Sequence, residues 1–202
     1  MKVVLRRHAP TEWNLESKYL GHTDQPLAPE GVRLAKTVPG DATAARVYTS
    51  TLARTRETAA IIYPRAAIVP RRDLMEMNFG VFEGRSSREL ENDPEYIAWL
   101  DSNCESPCPG GECKRDFTAR CRAAFLEILG REVRNGGTTL HILVHGGVIM
   151  AILSGFTFPE REYFAWNTAY CGGYELEFVD SGGDKPLRLV RELTADEGTE
   201  PA

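Results

Sequence analysis

The stretch TTLHILVHGGVIMAILSGF, residues 138–156, decides the fold class of this chain. Its first half is an apolar run rich in β-branched residues, which is typical of a buried strand. Two glycines follow directly, and the apolar residues after them predict a helix. A buried strand that leads at once into a helix is the repeating unit of sheets whose two faces are both covered by helices.

The same alternation recurs along the rest of the chain. Strands are predicted at 2–8, 45–50, 66–70, 170–180 and 186–193, and helices at 26–40, 51–63, 86–103 (broken by Pro94) and 114–137, with a loop at 74–86 and a frayed tail at 195–202. Because strands alternate with helices, we predict an α/β fold, a three-layer α/β/α sandwich around a mostly parallel sheet.

Reactive side chains follow three of the predicted strands. His8 ends the first strand, Ser50 ends the second and leads into the helix that carries Arg54, and His145 ends the strand quoted above. Ligands of such sheets bind outside the carboxyl ends of the strands. The sequence therefore predicts an anion site at one edge of the sheet, built from imidazole and guanidinium groups.

Composition and charge exclude several classes of protein. The chain has 202 residues with a net charge of −5, and 42% of its residues are hydrophobic. No segment is strongly basic, so nucleic acid and anionic membranes are poor partners. The apolar run at the start is too short for a signal peptide, and none approaches the roughly 20 residues that span a bilayer. We expect a cytoplasmic protein with a single domain over 1–202.

Five blocks carry most of the conspicuous His, Arg, Glu and Gly residues. They are LRRHAPTEWN (5–14), GHTDQPLAPEG (21–31), STLARTRETA (50–59), LMEMNFGVFEG (74–84) and LVHGGVI (143–149). In this order they resemble the histidine phosphatase superfamily, also called the phosphoglycerate mutase-like family. Each block alone is a weak signal, but together they cover nearly the whole chain. The resemblance implies a phosphoglycerate mutase-like fold, in which approximately 75–115 form a cap-like insert over the active site.

The resemblance implies a role for five side chains. His8 is the implied nucleophile, and Arg7, Arg54 and His145 would bind the phosphoryl group. Glu76 would protonate the leaving oxygen and then activate water. A neutral imidazole avoids the repulsion that an anionic nucleophile meets at a phosphate ester, and a phosphohistidine splits one displacement into two steps. Arginine binds phosphate oxygens bidentately and stays charged. The scheme requires no metal and no cofactor.

The resemblance also implies that Asn14, Thr23 and Gly146 line the phosphate or substrate side of the pocket. Two residues beside the implied nucleophile depart from the family pattern. Ala9 stands where glycine is usual, and Pro10 stands where glutamate is common in the mutases. Alanine before proline favours an extended backbone. We interpret the pair as a subfamily feature, and its effect on the rate stays open.

Four cysteines offer an alternative site. Cys104, Cys108, Cys113 and Cys121 lie near one another in sequence, but they lack the C-x-x-C pair that is usual in zinc sites. The odd total of five cysteines argues against a disulfide framework. We predict free thiols and no metal, with a structural zinc site or a labile disulfide as the alternatives.

The family contains both mutases and phosphatases. Mutases are usually longer and read close to Glu-Arg-His-Tyr-Gly where this chain has EMNFG (76–80), so a phosphatase is favoured. PGGE (109–112) and the HGGVI block are most similar to alpha-ribazole phosphatases and their broad-specificity relatives. The implied partner is a small phosphorylated metabolite, with alpha-ribazole 5′-phosphate as the candidate. A mutase-type phosphotransferase, a catalytically weak phosphate-binding regulatory protein and a homodimer remain open.

Overall fold

The computed structural model describes residues 1–179 and 184–195. Strands β1 to β7 span Lys2–Arg7, Arg46–Ser50, Ala67–Arg71, Thr139–Val144, Thr157–Phe158, Gly173–Phe178 and Leu187–Leu193. Helices α1 to α7 span Glu12–Leu15, Pro29–Thr37, Ala53–Ile62, Ser87–Leu90, Pro94–Asp101, Lys114–Arg134 and Gly146–Phe156. Short 3-10 helices occur at Arg72–Leu74, Gly80–Phe82 and Tyr163–Trp166.

The strands form one sheet in the order β3-β2-β4-β1-β6-β7-β5. Strands β3, β2, β4 and β1 run parallel to one another, and β6 and β7 add an antiparallel pair beside β1. Strand β5 pairs with β7 in parallel over two residues. The predicted α/β fold with a mostly parallel sheet is confirmed.

Alternate residues of β4 face two different hydrophobic clusters. Leu140 and Ile142 pack into a cluster that contains the buried faces of α6 and α7, whereas Leu143 packs with residues of α2 and α3. Successive side chains of a strand point to opposite faces of a sheet, so the two clusters lie on opposite sides. Helices therefore cover both faces, and the chain has the three predicted layers.

The predicted helix at 86–103 is two helices. The expected interruption is present, since α4 ends at Leu90, and Pro94 occupies the first position of α5. The side chain of Asp93 caps this helix by accepting hydrogen bonds from the backbone N–H groups of Glu95 and Tyr96. Proline suits that first position because no intrahelical hydrogen bond needs its missing N–H. The pattern also missed α1, β5 and the 3-10 helices, which are too short to show periodicity.

Helix α6 is 21 residues long, but charged and apolar side chains alternate along it. No helix within the described ranges combines the length and the apolar character needed to cross a bilayer. The frayed tail predicted at 195–202 falls, from residue 196 onward, outside the described residues.

Two leucines on α6 form a matched pair for testing the core. Leu129 is 4% exposed and Leu126 is 46% exposed. We expect Leu129→Ala to lower the free energy of unfolding by about 2 to 5 kcal/mol, because it removes buried surface and leaves a cavity. Leu126→Ala should cost less than about 1 kcal/mol. Urea denaturation of both variants measures the difference, and equal losses would contradict the assignment of these two faces.

Candidate active site

Three adjacent strands bring the candidate site together. His8 follows β1, Ser50 ends β2 and His145 follows β4. These strands are neighbours and run parallel, so their carboxyl ends meet at one edge of the sheet. The His8 and His145 ring centroids are 5.0 Å apart, at an interplanar angle of 68°. Arg54 reaches the same point from the start of α3.

The backbone fixes the tautomer of His8. Its ring Nδ1 lies 2.7 Å from the carbonyl oxygen of Ala9, which can only accept a hydrogen bond. Nδ1 therefore carries the proton in the neutral ring, and Nε2 keeps its lone pair. The backbone N–H of His8 donates to the carbonyl of Val144, which anchors the residue to β4. The arrangement leaves the lone pair of Nε2 available to react or to accept a hydrogen bond.

Arg54 fixes the tautomer of the second histidine. Its Nε–H donates to Nδ1 of His145 at 3.3 Å, so the proton of the neutral ring resides on Nε2. That Nε2–H donates to the hydroxyl oxygen of Ser50 at 2.8 Å. His145 is also the N-cap residue of α7. Ser50 was not among the predicted site residues, although it opens one of the five family blocks.

The site keeps both imidazoles uncharged. Burial lowers the pKa of His8 and His145 well below 6.5, and the positive charges of Arg54 and Arg7 lower both further. Burial also lowers the pKa of Arg54, to about 10, so its guanidinium stays charged at neutral pH. Two neutral rings thus lie beside two cations, which is an environment that attracts an anion.

Arg7 joins this cluster from the end of β1. Its Nη1 donates to the carbonyl of Thr168 at 2.7 Å, and its guanidinium lies 3.9 Å from the ring centroid of Tyr170. Its Nε is buried with no hydrogen-bond partner, so it remains available to an acceptor. A Cβ at Gly146 would lie 3.4 Å from this guanidinium, which is an ordinary van der Waals contact, so the arginine packs directly beside the start of α7. Sequence reasoning missed Tyr170, since no local pattern signals it.

Glu76 lies at the start of α7. One carboxylate oxygen accepts a hydrogen bond from the backbone N–H of Gly147 at 3.0 Å, and the other accepts from the N–H of Met77. The first contact places a carboxylate at the positive end of a helix. A Cβ at Gly147 would lie 2.3 Å from Glu76 Oε1, so a side chain there would displace the carboxylate.

A cavity of about 610 Å³ opens beside these groups. Arg7, Asn14, Glu76, Gly146 and Gly147 lie in its wall. Seven further lining residues are aromatic: Tyr19, Phe79, Trp99, Phe117, Tyr163, Phe164 and Tyr170. The His8 ring lies 5.9 Å from the ring of Tyr170, so His8 adjoins the cavity.

The three predicted substrate-binding residues occupy different places. Asn14 and Gly146 line the cavity, although the Asn14 Oδ1 also caps α1 by accepting from the N–H of Thr11. Thr23 is exposed and absent from the cavity wall, and its carbonyl accepts a hydrogen bond from Arg54 at 3.0 Å. Thr23 therefore contacts the site through its backbone, by holding an arginine.

Glu83 shapes the loop that contains Thr23. Its carboxylate accepts hydrogen bonds from the backbone N–H groups of His22, Thr23 and Phe79. Burial opposes its ionisation, but these hydrogen bonds outweigh burial and lower its pKa. Glu83 therefore stays ionised and holds the backbone N–H groups of this loop in place.

Alanine fits the position beside His8. Ala9 is fully buried in the cluster beneath α2 and α3, and its backbone has no positive φ. Its carbonyl accepts a hydrogen bond from Nδ1–H of His8, and its N–H donates to the hydroxyl of Thr58 at 3.0 Å. The conformation at this position therefore does not require glycine.

All five cysteines are free thiols in the structure. Burial raises the pKa of Cys108 to about 12 and also raises the pKa of Cys104, which lines the cavity. Within residues 1–179 and 184–195, no group of three or more His, Cys, Asp or Glu residues is arranged to hold a metal ion.

Comparison with known proteins identifies the family. A profile of the histidine phosphatase superfamily, branch 1, matches residues 3–188. The chain belongs to this superfamily. Phosphoglycerate mutase-like protein 4 of Arabidopsis thaliana is 32% identical over 161 residues, which cover 75% of this chain and 69% of that protein. Membership implies a phosphatase or mutase that acts on small phosphorylated molecules.

Solved structures share the fold of this histidine phosphatase. The alpha-ribazole phosphatase from Shigella flexneri has a TM-score of 0.82 at 23% identity, over 100% of each chain. Phosphoglycerate mutase from Thermus thermophilus has a TM-score of 0.70 at 29% identity, over 96% of this chain and 99% of that one. The phosphoglycerate mutase-like fold predicted from the sequence is confirmed.

The protonation of the two site histidines can be observed directly. We expect His8 and His145 to be neutral at pH 6.5, because burial and the charges of the two arginines disfavour a further positive charge on either ring. The proton of His8 should be on Nδ1 and that of His145 on Nε2. Long-range ¹⁵N–¹H correlation spectra distinguish the two tautomers. An imidazolium spectrum at this pH would contradict the geometry.

The same lowered pKa values set a dependence of stability on pH. As pH falls below 6.5, the unfolded chain binds protons at His8 and His145 that the folded chain does not bind. These two residues should therefore lower the free energy of unfolding as the solution is acidified. Urea denaturation of the wild type and of His145→Gln at pH 7.5 and 5.5 tests this. The variant should lose less stability between the two pH values than the wild type.

Proposed function

We propose that this histidine phosphatase is a metal-independent phosphomonoester hydrolase that forms a phosphohistidine on His8. The observation that carries the proposal is a neutral His8 whose Nε2 lone pair is free while two arginine charges lie nearby. A neutral nucleophile can approach a phosphate dianion, and the arginines stabilise the charge on the phosphoryl oxygens.

In the first step, Nε2 of His8 attacks phosphorus and the ester P–O bond breaks. Glu76, in its protonated form, gives a proton to the departing oxygen, which leaves as an alcohol. In the second step, water attacks the phosphohistidine, Glu76 takes one of its protons, and the N–P bond breaks. The electron pair returns to Nε2, and inorganic phosphate leaves. Arg7 and Arg54 hold the phosphoryl oxygens through both steps.

The cavity wall supports a phosphatase with a bulky leaving group rather than a phosphoglycerate mutase. Phosphoglycerate is small and carries a carboxylate, which needs cationic partners. Besides Arg7, the cavity wall carries Lys18 and Lys114, and these form ion pairs with Glu16 and Glu105. Aromatic side chains instead favour a flat, apolar leaving group. Alpha-ribazole 5′-phosphate, whose leaving alcohol carries an aromatic base, is our candidate substrate.

Much of this wall comes from the segment predicted as a cap. Glu76, Phe79, Trp99 and Cys104 all belong to 75–115 and line the cavity. We propose that this segment is an insert within one domain, 1–202, and that it selects the leaving group. The proposal that the segment 75–115 is a cap rests on these four residues of the cavity wall.

The phosphoenzyme provides the first test. Brief incubation with a ³²P-labelled monoester, followed by quenching in base, should trap an acid-labile, base-stable label on His8. His8→Ala should remove the label and lower turnover by at least about 10⁴-fold, as nucleophile removal does in other covalent enzymes. Activity should survive EDTA, and elemental analysis should find no stoichiometric zinc.

The matched control is His141→Ala, which removes a buried histidine in the middle of β4 that faces Asp41 rather than the cavity. This variant should retain the label. An unlabelled wild type, or loss of turnover in EDTA, would refute the proposed mechanism.

Substrate preference is a separate test. We expect kcat/KM to be higher for alpha-ribazole 5′-phosphate than for ribose 5-phosphate, which lacks the aromatic base. Mutase activity, assayed with 3-phosphoglycerate and 2,3-bisphosphoglycerate, should be far slower than hydrolysis. Equal rates on the two ribose esters would remove alpha-ribazole phosphate as the candidate but leave the phosphohistidine mechanism in place. Mutase activity above hydrolysis would favour the phosphotransferase alternative.

A further inference from the structure

One arginine outside the cavity binds the segment that carries Glu76. Arg120 lies on α6, and its Nη1 donates to the carbonyls of Asp73 and Met75 at 3.1 and 2.8 Å. Its Nη2 donates to the carbonyl of Glu76 at 2.9 Å. Its Nε and Nη2 donate to the two carboxylate oxygens of Glu112 at 2.7 and 2.8 Å. A guanidinium has five N–H groups, and each is directed at one of these acceptors.

Glu112 links Arg120 to a second point of the segment that carries Glu76. Besides binding Arg120, its Oε2 accepts a hydrogen bond from the backbone N–H of Asn78 at 2.9 Å. Burial opposes its ionisation, but the hydrogen bonds from Arg120 and Asn78 outweigh burial and lower its pKa. The Arg120–Glu112 pair therefore holds backbone groups from residue 73 to residue 78.

This segment needs outside partners. Residues 76–79 form neither helix nor strand, so their backbone groups have no regular hydrogen-bonding pattern of their own. Arg120 donates a hydrogen bond to the backbone carbonyl of Glu76, while the Glu76 carboxylate accepts a hydrogen bond from the N–H of Gly147 on α7. The main chain and the side chain of Glu76 are thus held by two different helices. Neither Arg120 nor Glu112 lines the main cavity, so neither is placed to touch substrate there.

We propose that Arg120, oriented by Glu112, is the positioning residue that keeps the carboxyl group of Glu76 within reach of the leaving oxygen. The inference rests on the proposed function, in which Glu76 is the proton donor. A displacement of about 1 Å at a catalytic group can cost about 10²-fold in rate. Loss of the guanidinium should therefore impair proton donation without removing the nucleophile or the phosphate-binding arginines.

Two esters of similar size separate proton donation from phosphoryl transfer. 4-Nitrophenyl phosphate releases a stable phenolate and needs little help from an acid, whereas 2-phenylethyl phosphate releases a basic alkoxide that must be protonated. The value of kcat/KM reports the steps up to alcohol release, and therefore the step that uses the acid. We expect Arg120→Gln to lower kcat/KM by about 10²-fold for the alkyl ester and by less than about threefold for the aryl ester.

Arg122 provides a matched control on the same helix. It is a half-buried arginine two residues away, and it donates to the carbonyl of Ala151 and the hydroxyl of Ser154 on α7. Arg122→Gln removes two guanidinium hydrogen bonds between α6 and α7, but none to the Glu76 segment. It should change kcat/KM for the two esters by the same factor.

Glu76→Gln serves as the reference for a lost acid, and Arg120→Lys and Glu112→Gln guard against a variant that fails to fold. Both milder variants should lower the alkyl-to-aryl ratio of kcat/KM in the same direction, with an unchanged circular dichroism spectrum. If Glu76→Gln lowers this ratio and no folded Arg120 or Glu112 variant does, the positioning role is wrong and the proposed function stands. If the wild type forms no phosphohistidine, the proposed function fails, and the positioning role fails with it.

Discussion

The buried guanidinium of Arg54 is the interaction on which the rest of the site depends. A charge removed from water is costly unless its donors are satisfied, so Arg54 must find acceptors. Three are carbonyls of the loop at 20–23, and the fourth is Nδ1 of His145. The hydrogen bonds to the three carbonyls fix the loop, whose N–H groups at His22 and Thr23 are bound by Glu83. The hydrogen bond to Nδ1 fixes the tautomer of His145, and this tautomer donates to Ser50. Burial lowers the pKa of His8, and the Arg54 charge lowers it further, so His8 stays neutral, as the proposed mechanism requires.

The start of α7 is the second point of convergence. The Arg7 guanidinium packs beside Gly146, and the N–H of Gly147 donates to the Glu76 carboxylate. A cation and a carboxylate thus lie at one end of the same helix. A Cβ at Gly147 would displace the Glu76 carboxylate, so the second of the two glycines has a geometric reason.

Solved structures of an alpha-ribazole phosphatase and of a phosphoglycerate mutase share this fold, so the fold does not separate the two reactions. Under the proposed function, the wall around the leaving group separates them. Seven side chains of that wall are aromatic, two of them (Phe79 and Trp99) belong to the segment 75–115, and its two lysines are already paired with glutamates. The proposal therefore assigns phosphate chemistry to the sheet edge and selection of the leaving group to the cavity wall.

Local pattern was sufficient for the fold class. The apolar strands ending in His8, Ser50 and His145 are short-range features, and parallel strands bring their carboxyl ends to one edge wherever they pair. The sequence by itself therefore predicted that His8, Arg54 and His145 would lie together, although it did not select Ser50 as a site residue. It also predicted an interruption at Pro94, but it did not predict that this proline would begin a second helix capped by Asp93.

Tertiary packing decided the partners of those side chains. Arg120 reaches Glu76 across 44 residues, and Arg7 reaches Thr168 across 161. Tyr170 lies over Arg7 for the same reason, since the loop before β6 is placed by strand pairing and not by its own sequence. Thr23, chosen as a pocket residue, contributes a carbonyl to Arg54 instead. Apart from the ring contact of Tyr170, each is a contact between a side chain and a distant backbone group, and backbone groups are identical at every position until the fold selects one.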